Sequence, residues 1–554
     1  MRQEGVPEIQ PRTTPHLDIP LDFIDSHSCW SYKLNNMKSF IGRGLAFLQA
    51  PRNPSGLQPA SNRCSATVLA QPDIFGAKII DVSAHQVNLY SNEDEQTFRK
   101  SESGDLNFCN VTVTYTHPGQ HDTIHVTVWL PLEEWNGRFM AVGGGGWITG
   151  HPYLSPQIQS GYAAASTDGG HGVERSAASW ALESPGNVNW NLLQDFAYKA
   201  LDDMVLIGKA IATSFYETAP KYSYWNGCST GGRQGLMLAQ RSPGLLDGIL
   251  AAAPAIDWPT FVTSGFWAQH CMHRTDAYPS TCELMAFRAA AIEACDSLDG
   301  LTDGIIGAPG LCRFDPHSVV GKKIDCDGVK ELTSAGATIA QAAWSGPIDA
   351  NGKSSWFGVN HDALLHSAED TYTVVNGSTR GKTIPEEWIS LFVKKDPAYD
   401  TTKMSDADFF SILKASQREY DSILGTHWPD LSEFRDAGGK MITWHGLADD
   451  RIPPNGTSHY YDQVLAATSN VSDFYRYFEA PGVAHCAGGN GPVPDAHIDL
   501  VRWVEEGIAP NTLKAFDQHG KGTFRELCQY PLVQRFVGGD SKVASSFECS
   551  AGFA

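Results

Sequence analysis

The sequence predicts an α/β fold in which a mostly parallel sheet, covered by helices, is interrupted by one large insertion. Two observations lead to this prediction. Short apolar runs alternate with amphipathic helical segments between residues 123 and 254, which is the pattern of a parallel sheet. The alternation stops after about residue 256 and returns at KMITWHGLADD, residues 440–450. The insertion therefore comprises some 180 residues.

The strand and helix candidates follow one another in a regular order. TIHVTVWLP at residues 123–131 alternates apolar and polar residues with period two, as a half-buried strand does. GRFMAVGGGGW at 137–147 and GYAAASTDGGH at 161–171 are short apolar runs with terminal glycines, and residues 195–216 place apolar side chains at helical spacing. A strand and turn in YSYWNGCS, a helix in GRQGLMLAQRS and a buried strand in DGILAAAP complete the first half.

This order divides the chain into three parts. Residues 1–60 are a loop-like extension that is a candidate for disorder, and residues 61–256 together with 437–554 form the α/β domain. Residues 257–436 form the insertion. Because open α/β sheets bind ligands at the carboxyl ends of their strands, we expect the insertion to lie over that edge as a lid.

Composition excludes several classes of partner. The 554 residues carry a formal net charge of −21, which disfavours nucleic acid and anionic membranes. No run of about 18 apolar residues predicts a membrane span. The 12 cysteines include no C-x-x-C pair and therefore favour disulfides over a zinc site. Although the polar N-terminus does not resemble a signal peptide, we expect secretion and glycosylation; the four sequons are at Asn110, Asn376, Asn455 and Asn470.

The segment YWNGCSTGGRQG contains the motif Gly-x-Ser-x-Gly between a predicted strand and a predicted helix. A serine on such a sharp turn is the nucleophile elbow of serine hydrolases. Gly227 and Gly231 let neighbouring backbone pass closely, and the helix N-terminus offers amide donors to an oxyanion. Ser229 is therefore the predicted nucleophile.

A serine nucleophile needs a base and a carboxylate that orients the base, and in α/β folds of this kind they follow the serine as acid and then histidine. Asp449 in WHGLADDRIPP and His485 in GVAHC give this order at two predicted strand ends. Asp450 is the rival carboxylate. His445 is the rival histidine, although it precedes the acid.

An oxyanion hole needs two amide donors. The residue after the nucleophile, Thr230, should supply one, and the glycine loop at residues 143–146 should supply the other, for which Gly144 is our candidate. A phosphate-binding loop is disfavoured because no Lys-Ser/Thr pair follows these glycines.

The triad also predicts a disulfide. Cys228 directly precedes the nucleophile and Cys486 directly follows the base, so contact between Ser229 and His485 would bring the two thiols together. A bond between them would stabilise the fold by roughly 5 kcal/mol in the chain-entropy model.

The insertion contains a cluster of aspartates, CDSLDGLTDGII, with Asp296, Asp299 and Asp303 spaced by three and four residues. Oxygen ligands at this density suit Ca²⁺, although a solvated Asp-Gly turn has the same spacing. The loop is not an EF-hand, because its spacing differs and the closing Glu is missing.

Together these segments resemble the tannase/feruloyl esterase family of secreted esterases, over residues 109–490. The resemblance is carried by WNGRFMAVGGGGW, GYAAASTDGGH, YWNGCSTGGRQGLMLAQRSPGLLDGILAAAPAIDW, CDSLDGLTDGII, WHGLADDRIPP and GVAHC. It implies an α/β-hydrolase domain with a large inserted lid domain. It also implies the triad Ser229, Asp449 and His485, and a structural Ca²⁺ held in the lid by the side chains of Asp296, Asp299 and Asp303 and the carbonyls of Leu301 and Ile305.

The remaining cysteines are assigned less completely. Under the resemblance we expect the pairs Cys295–Cys312, Cys528–Cys549 and Cys64–Cys109. The pairing of Cys29, Cys271, Cys282 and Cys326 stays open.

We therefore expect a secreted serine carboxylic ester hydrolase that cleaves small or polysaccharide-linked esters of phenolic acids, of the feruloyl esterase type, through an acyl-enzyme. A tannase acting on gallate esters and an inactive binding protein with the same fold are the alternatives, and a metal-dependent hydrolase is less favoured. The sequence leaves the oligomeric state open. Aromatic side chains of the lid are candidates for the substrate pocket: Trp258, Phe261, Phe266 and Trp267.

Overall fold

A nine-stranded mixed sheet forms the centre of the computed structural model, which describes residues 60–91, 106–326, 328–365, 384–518, 520 and 522–553. Its strands are β1 (Lys78–Tyr90), β2 (Leu106–Thr116), β3 (Ile124–Pro131), β4 (Arg138–Val142), β5 (Ala163–Thr167), β6 (Tyr222–Cys228), β7 (Gly248–Ala252), β8 (Lys440–Gly446) and β9 (Tyr475–Ala480). Their spatial order is β1-β2-β3-β5-β4-β6-β7-β8-β9. The predicted extension at residues 1–60 lies outside the described residues except for Ala60.

The sheet changes character along its width. On one side of the sheet, β1 pairs with β2, β2 with β3 and β3 with β5, and these three pairs are antiparallel. The remaining neighbours in the spatial order, from β5 and β4 to β8 and β9, all pair in parallel. The central strands β5 and β7 are buried along their whole length, because helices cover both of their faces. This confirms the predicted α/β sheet and the strands expected near residues 123, 137, 161, 222 and 248.

The described helices alternate with these strands and also fill the insertion. They are α1 (Ala60–Arg63), α2 (Ser155–Gln159), α3 (Trp190–Gln194), α4 (Ala200–Tyr216), α5 (Thr230–Arg241), α6 (Trp258–Gly265), α7 (Trp267–Thr275), α8 (Thr281–Cys295), α9 (Ser334–Ser345), α10 (Ile384–Glu387), α11 (Asp406–Leu424), α12 (Ser432–Asp436), α13 (Pro454–Ala467) and α14 (Ala496–Glu506). A π-helical turn at Asp195–Lys199 joins α3 to α4, so the helix predicted for residues 195–216 is regular only from Ala200.

Several short strands lie outside the main sheet. Three of these sheets have two strands: Leu182–Ser184 with Asn187–Val188, Lys323–Cys326 with Val329–Glu331, and Val533–Phe536 with Phe547–Ser550. A fourth has three strands, in which Thr512–Phe516 lies between Val493–Pro494 and Phe524–Cys528.

Apolar side chains on the two faces of the sheet form separate clusters. Helices α4, α5 and α13 pack on one face, where Trp225 of β6 is buried, and α14 packs on the other, where the neighbouring Tyr224 is buried. This alternation follows from the period of two along a strand. The elements that carry the catalytic candidates are therefore anchored on both sides of the sheet.

The insertion leaves the sheet after β7 and returns to it at β8. Helices α7, α8, α9 and α11 share a hydrophobic cluster that includes Trp267, Phe287 and Phe409. The described residues nevertheless all belong to one compact unit. The boundaries of the lid at residues 257 and 436 stay a prediction.

Among the described residues, ten cysteines form five disulfides, and these confirm all four predicted pairs: Cys64–Cys109, Cys228–Cys486, Cys295–Cys312 and Cys528–Cys549. The fifth joins Cys282 to Cys326. Cys271 is buried and forms no disulfide within the described part of the chain. Cys29 lies outside that part. Among the described helices, none has the length and apolar character that crossing a bilayer requires.

Candidate active site

Ser229 occupies the turn between β6 and α5. Its backbone has φ 64° and ψ −124°, a region that costs free energy for a residue with a Cβ. The turn is held by hydrogen bonds, since the Ser229 amide donates to Ala252 O at 3.1 Å and its carbonyl accepts from Arg233 N at 3.0 Å. The predicted elbow is present, and its serine is the residue in the strained conformation.

Two glycines make this turn sterically possible. A Cβ on Gly227 would lie 2.4 Å from Gly231 O, and one on Gly231 would lie 3.0 Å from Gly144 O. The first distance is far below any real Cβ contact, so Gly227 must be glycine if β6 and α5 are to meet at this angle.

Asp449 and His485 follow β8 and β9 and meet beyond the ends of these strands. Nδ1 of His485 lies 2.8 Å from Oδ2 of Asp449. Because the carboxylate can only accept, Nδ1 carries the proton and leaves Nε2 as the base. The second carboxylate oxygen, Oδ1, accepts from the amides of Arg451 at 2.8 Å and Ile452 at 2.9 Å.

His445, which we considered as a rival base, binds the same carboxylate from the other side. Its Nε2 lies 3.0 Å from Oδ2 of Asp449, and its Nδ1 lies 2.8 Å from the Thr457 hydroxyl. Both nitrogens of this fully buried ring are therefore engaged within the protein. His445 fixes Asp449, a role that the sequence did not suggest.

The two aspartates of this loop differ in their electrostatics. Burial raises the pKa of Asp449, but the charges and hydrogen bonds of His485 and His445 outweigh burial and hold its pKa well below the usual range. Burial and the charge of Asp449 instead raise the pKa of Asp450. The hydrogen bond of His485 goes to Asp449, the carboxyl whose ionised form is the better stabilised of the two.

The disulfide Cys228–Cys486 joins the residue before the nucleophile to the residue after the base. Its Cα atoms are 6.0 Å apart, and it connects positions that are 258 residues apart in the chain. Because its half-cystines adjoin Ser229 and His485, it limits how far β6 and the β9 loop can separate. Cys228 is therefore a structural residue and not a second nucleophile.

We expect the double variant Cys228→Ala/Cys486→Ala to lose about 5 kcal/mol of unfolding free energy, because the cross-link closes a very long loop in the unfolded chain. We also expect a lower kcat per folded molecule, because the nucleophile and base are less well positioned. Denaturant unfolding and initial rates measured well below the melting temperature test the two effects.

The matched control is Cys528→Ala/Cys549→Ala, which removes a bond of sequence separation 21 near the C-terminus. This variant should lose stability and keep its kcat. Equal kcat values for all three proteins would show that the Cys228–Cys486 bond does not position the catalytic residues.

The structure corrects the prediction that Gly144 donates to the oxyanion. Its amide already donates to Oε1 of Gln234 at 3.1 Å, while Nε2 of Gln234 donates to Thr149 O at 2.8 Å. A buried glutamine that binds the loop in this way could not be identified from the motif alone. We expect the second donor to be a later amide of the same loop, at Gly145 or Gly146.

The glycine loop is fastened to the start of α5. The Thr230 hydroxyl donates to Gly146 O at 2.8 Å, and the Gly231 amide donates to Gly144 O at 3.0 Å. The loop therefore stays beside the first turn of α5, where Thr230 is the first helical residue. The geometry keeps Thr230 as the other predicted donor.

The four aromatic candidates for the substrate pocket are buried in the fold: Trp258, Phe261, Phe266 and Trp267. Phe261 and Trp267 line a cavity of ≈ 30 Å³ beside Arg451 and Pro453. A cavity of that size holds about one water molecule and not an aromatic ring. Trp258 and Phe261 belong to the hydrophobic cluster around Trp147, whereas Phe266 and Trp267 belong to the cluster within the insertion.

The aspartate loop after α8 is held by its own carboxylates. Both oxygens of Asp296 accept backbone amides, from Asp303 at 3.2 Å and Gly304 at 2.9 Å, and Asp299 accepts from Leu301 at 3.0 Å. Burial, opposed by hydrogen bonds from two amides, raises the pKa of Asp299 to about 6. A cleft of ≈ 270 Å³ is lined by Asp299, Leu301, Asp303 and Ile305, four of the five predicted ligands.

Comparison with known proteins places this site in context. A family model described as tannase and feruloyl esterase matches residues 109–550. A protein of Arthroderma benhamiae named probable feruloyl esterase is 40% identical over 523 residues, 90% of this chain and 96% of that protein. Tannin acyl hydrolase from Aspergillus niger superposes with a TM-score of 0.76 at 28% identity, over 88% of this chain and 94% of that one. Feruloyl esterase B from Aspergillus oryzae gives 0.72 at 25% identity, over 86% and 97%.

Proposed function

Since the chain belongs to the tannase and feruloyl esterase family and is a carboxylic ester hydrolase, we propose that it cleaves phenolic-acid esters by serine-dependent acyl transfer. The observation that carries this proposal is the disulfide Cys228–Cys486, which joins the residue before the strained Ser229 to the residue after His485, whose ring is hydrogen-bonded to Asp449. Serine, acid and base follow one another along the chain in the order typical of this fold.

In the proposed reaction, Oγ of Ser229 attacks the ester carbonyl while Nε2 of His485 removes its proton. Asp449 stabilises the imidazolium that forms, and His445 holds Asp449 in place. The amide of Thr230 and one amide of the glycine loop bind the oxyanion. His485 then protonates the leaving alkoxide, and a water molecule activated by the same base releases the acid.

We propose that the acid in the cleaved ester is of the feruloyl type and not gallic acid. The relative at 40% identity is named for feruloyl esters, whereas the tannin acyl hydrolase is 28% identical. Both acids are phenolic and differ in chain length and in the number of hydroxyl groups, so the substrate pocket must decide between them.

A substrate panel tests this choice: methyl ferulate, methyl caffeate, methyl gallate and an acetyl ester. We expect kcat/KM for ferulate to exceed that for gallate at least about tenfold, the discrimination that a shaped pocket provides. The highest value for gallate would identify a tannase. No turnover, together with no labelling of Ser229 by a fluorophosphonate, would favour the inactive binding protein.

We propose that the enzyme is secreted. Five disulfides fit an oxidising compartment. The sequons at Asn455 and Asn470 are exposed and could be glycosylated. Asn110 lies within β2 with its side-chain oxygen buried, which makes it a poor acceptor. Asn376 lies outside the described residues.

We propose that the aspartate loop binds one structural Ca²⁺ through the carboxylates of Asp296, Asp299 and Asp303 and the carbonyls of Leu301 and Ile305. The donor set consists of oxygen alone, which fits this hard cation. The three carboxylates of the loop carry like charges. The guanidinium of Arg525 lies near them, with its Nη2 3.9 Å from Oδ2 of Asp303. The oxygens of these three carboxylates do not all lie within 4.8 Å of one another. Binding of the ion would therefore bring the three carboxylates closer together.

Removal of this ion is expected to destabilise the protein. A Ca²⁺ concentration of 100 times Kd would stabilise the folded state by about 2.7 kcal/mol, so a chelator should lower the melting temperature of the wild type. Asp299→Asn should melt at the same lower temperature with and without Ca²⁺.

Asp325→Asn serves as the matched control for this experiment. Asp325 is an exposed lid aspartate paired with Lys330, so its variant should respond to Ca²⁺ as the wild type does. A wild-type melting temperature that ignores both Ca²⁺ and chelator would remove the proposal.

A further inference from the structure

A second cluster of acidic and imidazole side chains lies buried far from the aspartate loop in the sequence. His117 and Asp122 flank the turn between β2 and β3, Asp195 begins the π-helical turn, and Asp203 lies on α4. Nδ1 of His117 lies 2.5 Å from Oδ2 of Asp122 and 3.8 Å from Oδ1 of Asp195, and its Nε2 lies 2.9 Å from Oδ2 of Asp203. All four side chains are at most 3% exposed.

The three carboxylates of this cluster are unequally satisfied. Asp122 accepts from the Thr116 hydroxyl at 2.7 Å and the His117 amide at 2.8 Å, and Asp203 has Lys199 Nζ at 3.4 Å. In the part of the chain that the structure describes, neither oxygen of the fully buried Asp195 has a hydrogen-bond partner. Buried carboxylates are normally paired, hydrogen-bonded or bound to a metal.

We propose that His117, Asp122 and Asp195 bind a divalent transition-metal ion such as Zn²⁺ or Mn²⁺. One nitrogen and two carboxylate oxygens, one from each residue, already lie within 4.8 Å of one another. This mixed donor set suits ions that accept both imidazole and carboxylate, whereas Ca²⁺ prefers oxygen alone. The unpartnered carboxylate of Asp195 is then a ligand.

Asp203 would not bind the ion itself but would accept a hydrogen bond from the histidine that does. It faces Nε2 of His117, the nitrogen remote from the other two ligands, and it also accepts from the Tyr115 hydroxyl at 3.3 Å. A ligating histidine usually donates its other N–H to a carboxylate, which fixes its tautomer. Metal binding would release the Nδ1 proton of His117 to solvent, while Nε2 keeps its proton and donates it in a hydrogen bond to Asp203.

The position of the cluster gives the ion a structural task. It would join the β2–β3 turn to the π-helical turn at Asp195–Lys199. The buried guanidinium of Arg233, on α5, donates to Ala197 O at 3.1 Å and Phe196 O at 3.2 Å in that same turn. The metal would therefore steady the segment against which the helix after Ser229 rests.

Metal content tests the proposal directly. The full chain is produced in medium containing Zn²⁺ and Mn²⁺, because the site is buried, and is freed of loose ions by gel filtration before elemental analysis. We expect one transition-metal ion per chain in the wild type and in Asp299→Asn, which lacks only a calcium-loop carboxylate. Asp195→Asn should hold less than one tenth of that amount.

Stability and spectroscopy keep the result independent of one variant. After chelation, Zn²⁺ should raise the melting temperature of the wild type and leave that of Asp195→Asn unchanged, while Co²⁺ bound to the wild type should show visible absorption that Zn²⁺ abolishes. A wild type without stoichiometric Zn²⁺ or Mn²⁺, binding that is equal in Asp195→Asn, or a site filled by Ca²⁺ alone would overturn the proposal. The cluster would then be a histidinium held between carboxylates.

Discussion

Replacing Ser229 with alanine is expected to lower kcat on a phenolic ester by about four orders of magnitude or more, because removal of a serine nucleophile costs this much in comparable triads. Alanine has the same backbone demands at φ 64° and leaves the turn in place, so the melting temperature should stay within a few degrees of the wild type. Initial rates on methyl ferulate and covalent labelling by a fluorophosphonate measure the loss.

The matched control for this variant is Thr230→Ser, one residue along the same turn. It keeps the backbone amide that we assign to the oxyanion and a hydroxyl that can still reach Gly146 O, so its kcat should stay within about tenfold of the wild type, less than the loss of one oxyanion donor. Undiminished turnover by Ser229→Ala would reject the serine mechanism and revive a metal-dependent hydrolase.

The second large effect is expected at Asp449. Asn in place of the triad carboxylate should lower kcat by about four orders of magnitude, because the amide no longer holds His485 in the productive tautomer. Asp450→Asn is the control, since it alters the adjacent carboxyl and leaves the Asp449–His485 hydrogen bond intact. Equal losses in the two variants would mean that the wrong aspartate has been assigned.

Asp449 should also make stability depend on pH. Its folded-state pKa is depressed, so its ionised form stabilises the fold above the pKa of an unfolded aspartate, about 3.9. This contribution is lost as the pH falls towards the folded-state pKa. The stability difference between wild type and Asp449→Asn should therefore shrink on acidification, and denaturant unfolding at several pH values measures it.

Sequence patterns were sufficient for those parts of the site where chemistry restricts the residue type. The elbow needs small residues around Ser229, and the order of acid and base follows from the fold, so Asp449 and His485 could be placed by number. The Cys228–Cys486 bond followed from the triad itself. Each of these inferences uses neighbours in sequence or at the ends of adjacent strands.

The parts that could not be predicted depend on contacts between distant segments. Gln234 takes the amide of Gly144, and no property of a lone glutamine on a helix indicates this bond. His445 carries the same imidazole as a catalytic base. Only its hydrogen bonds to Asp449 and Thr457 show that it holds the carboxylate of Asp449 in place. The π-helical turn before Ala200 could not be predicted either, because the helical spacing of apolar residues continues through it.

The five disulfides differ greatly in how much chain each one closes, and this has a consequence for biogenesis. Four join cysteines 17 to 45 residues apart, whereas Cys228 and Cys486 are 258 residues apart. The short loops can oxidise as soon as their own segments of the chain have been made. The long one must wait until β9 has emerged and aligned beside β8. The final oxidation would thus be the one that assembles the nucleophile with its base, so that chains still lacking this bond carry little hydrolytic activity.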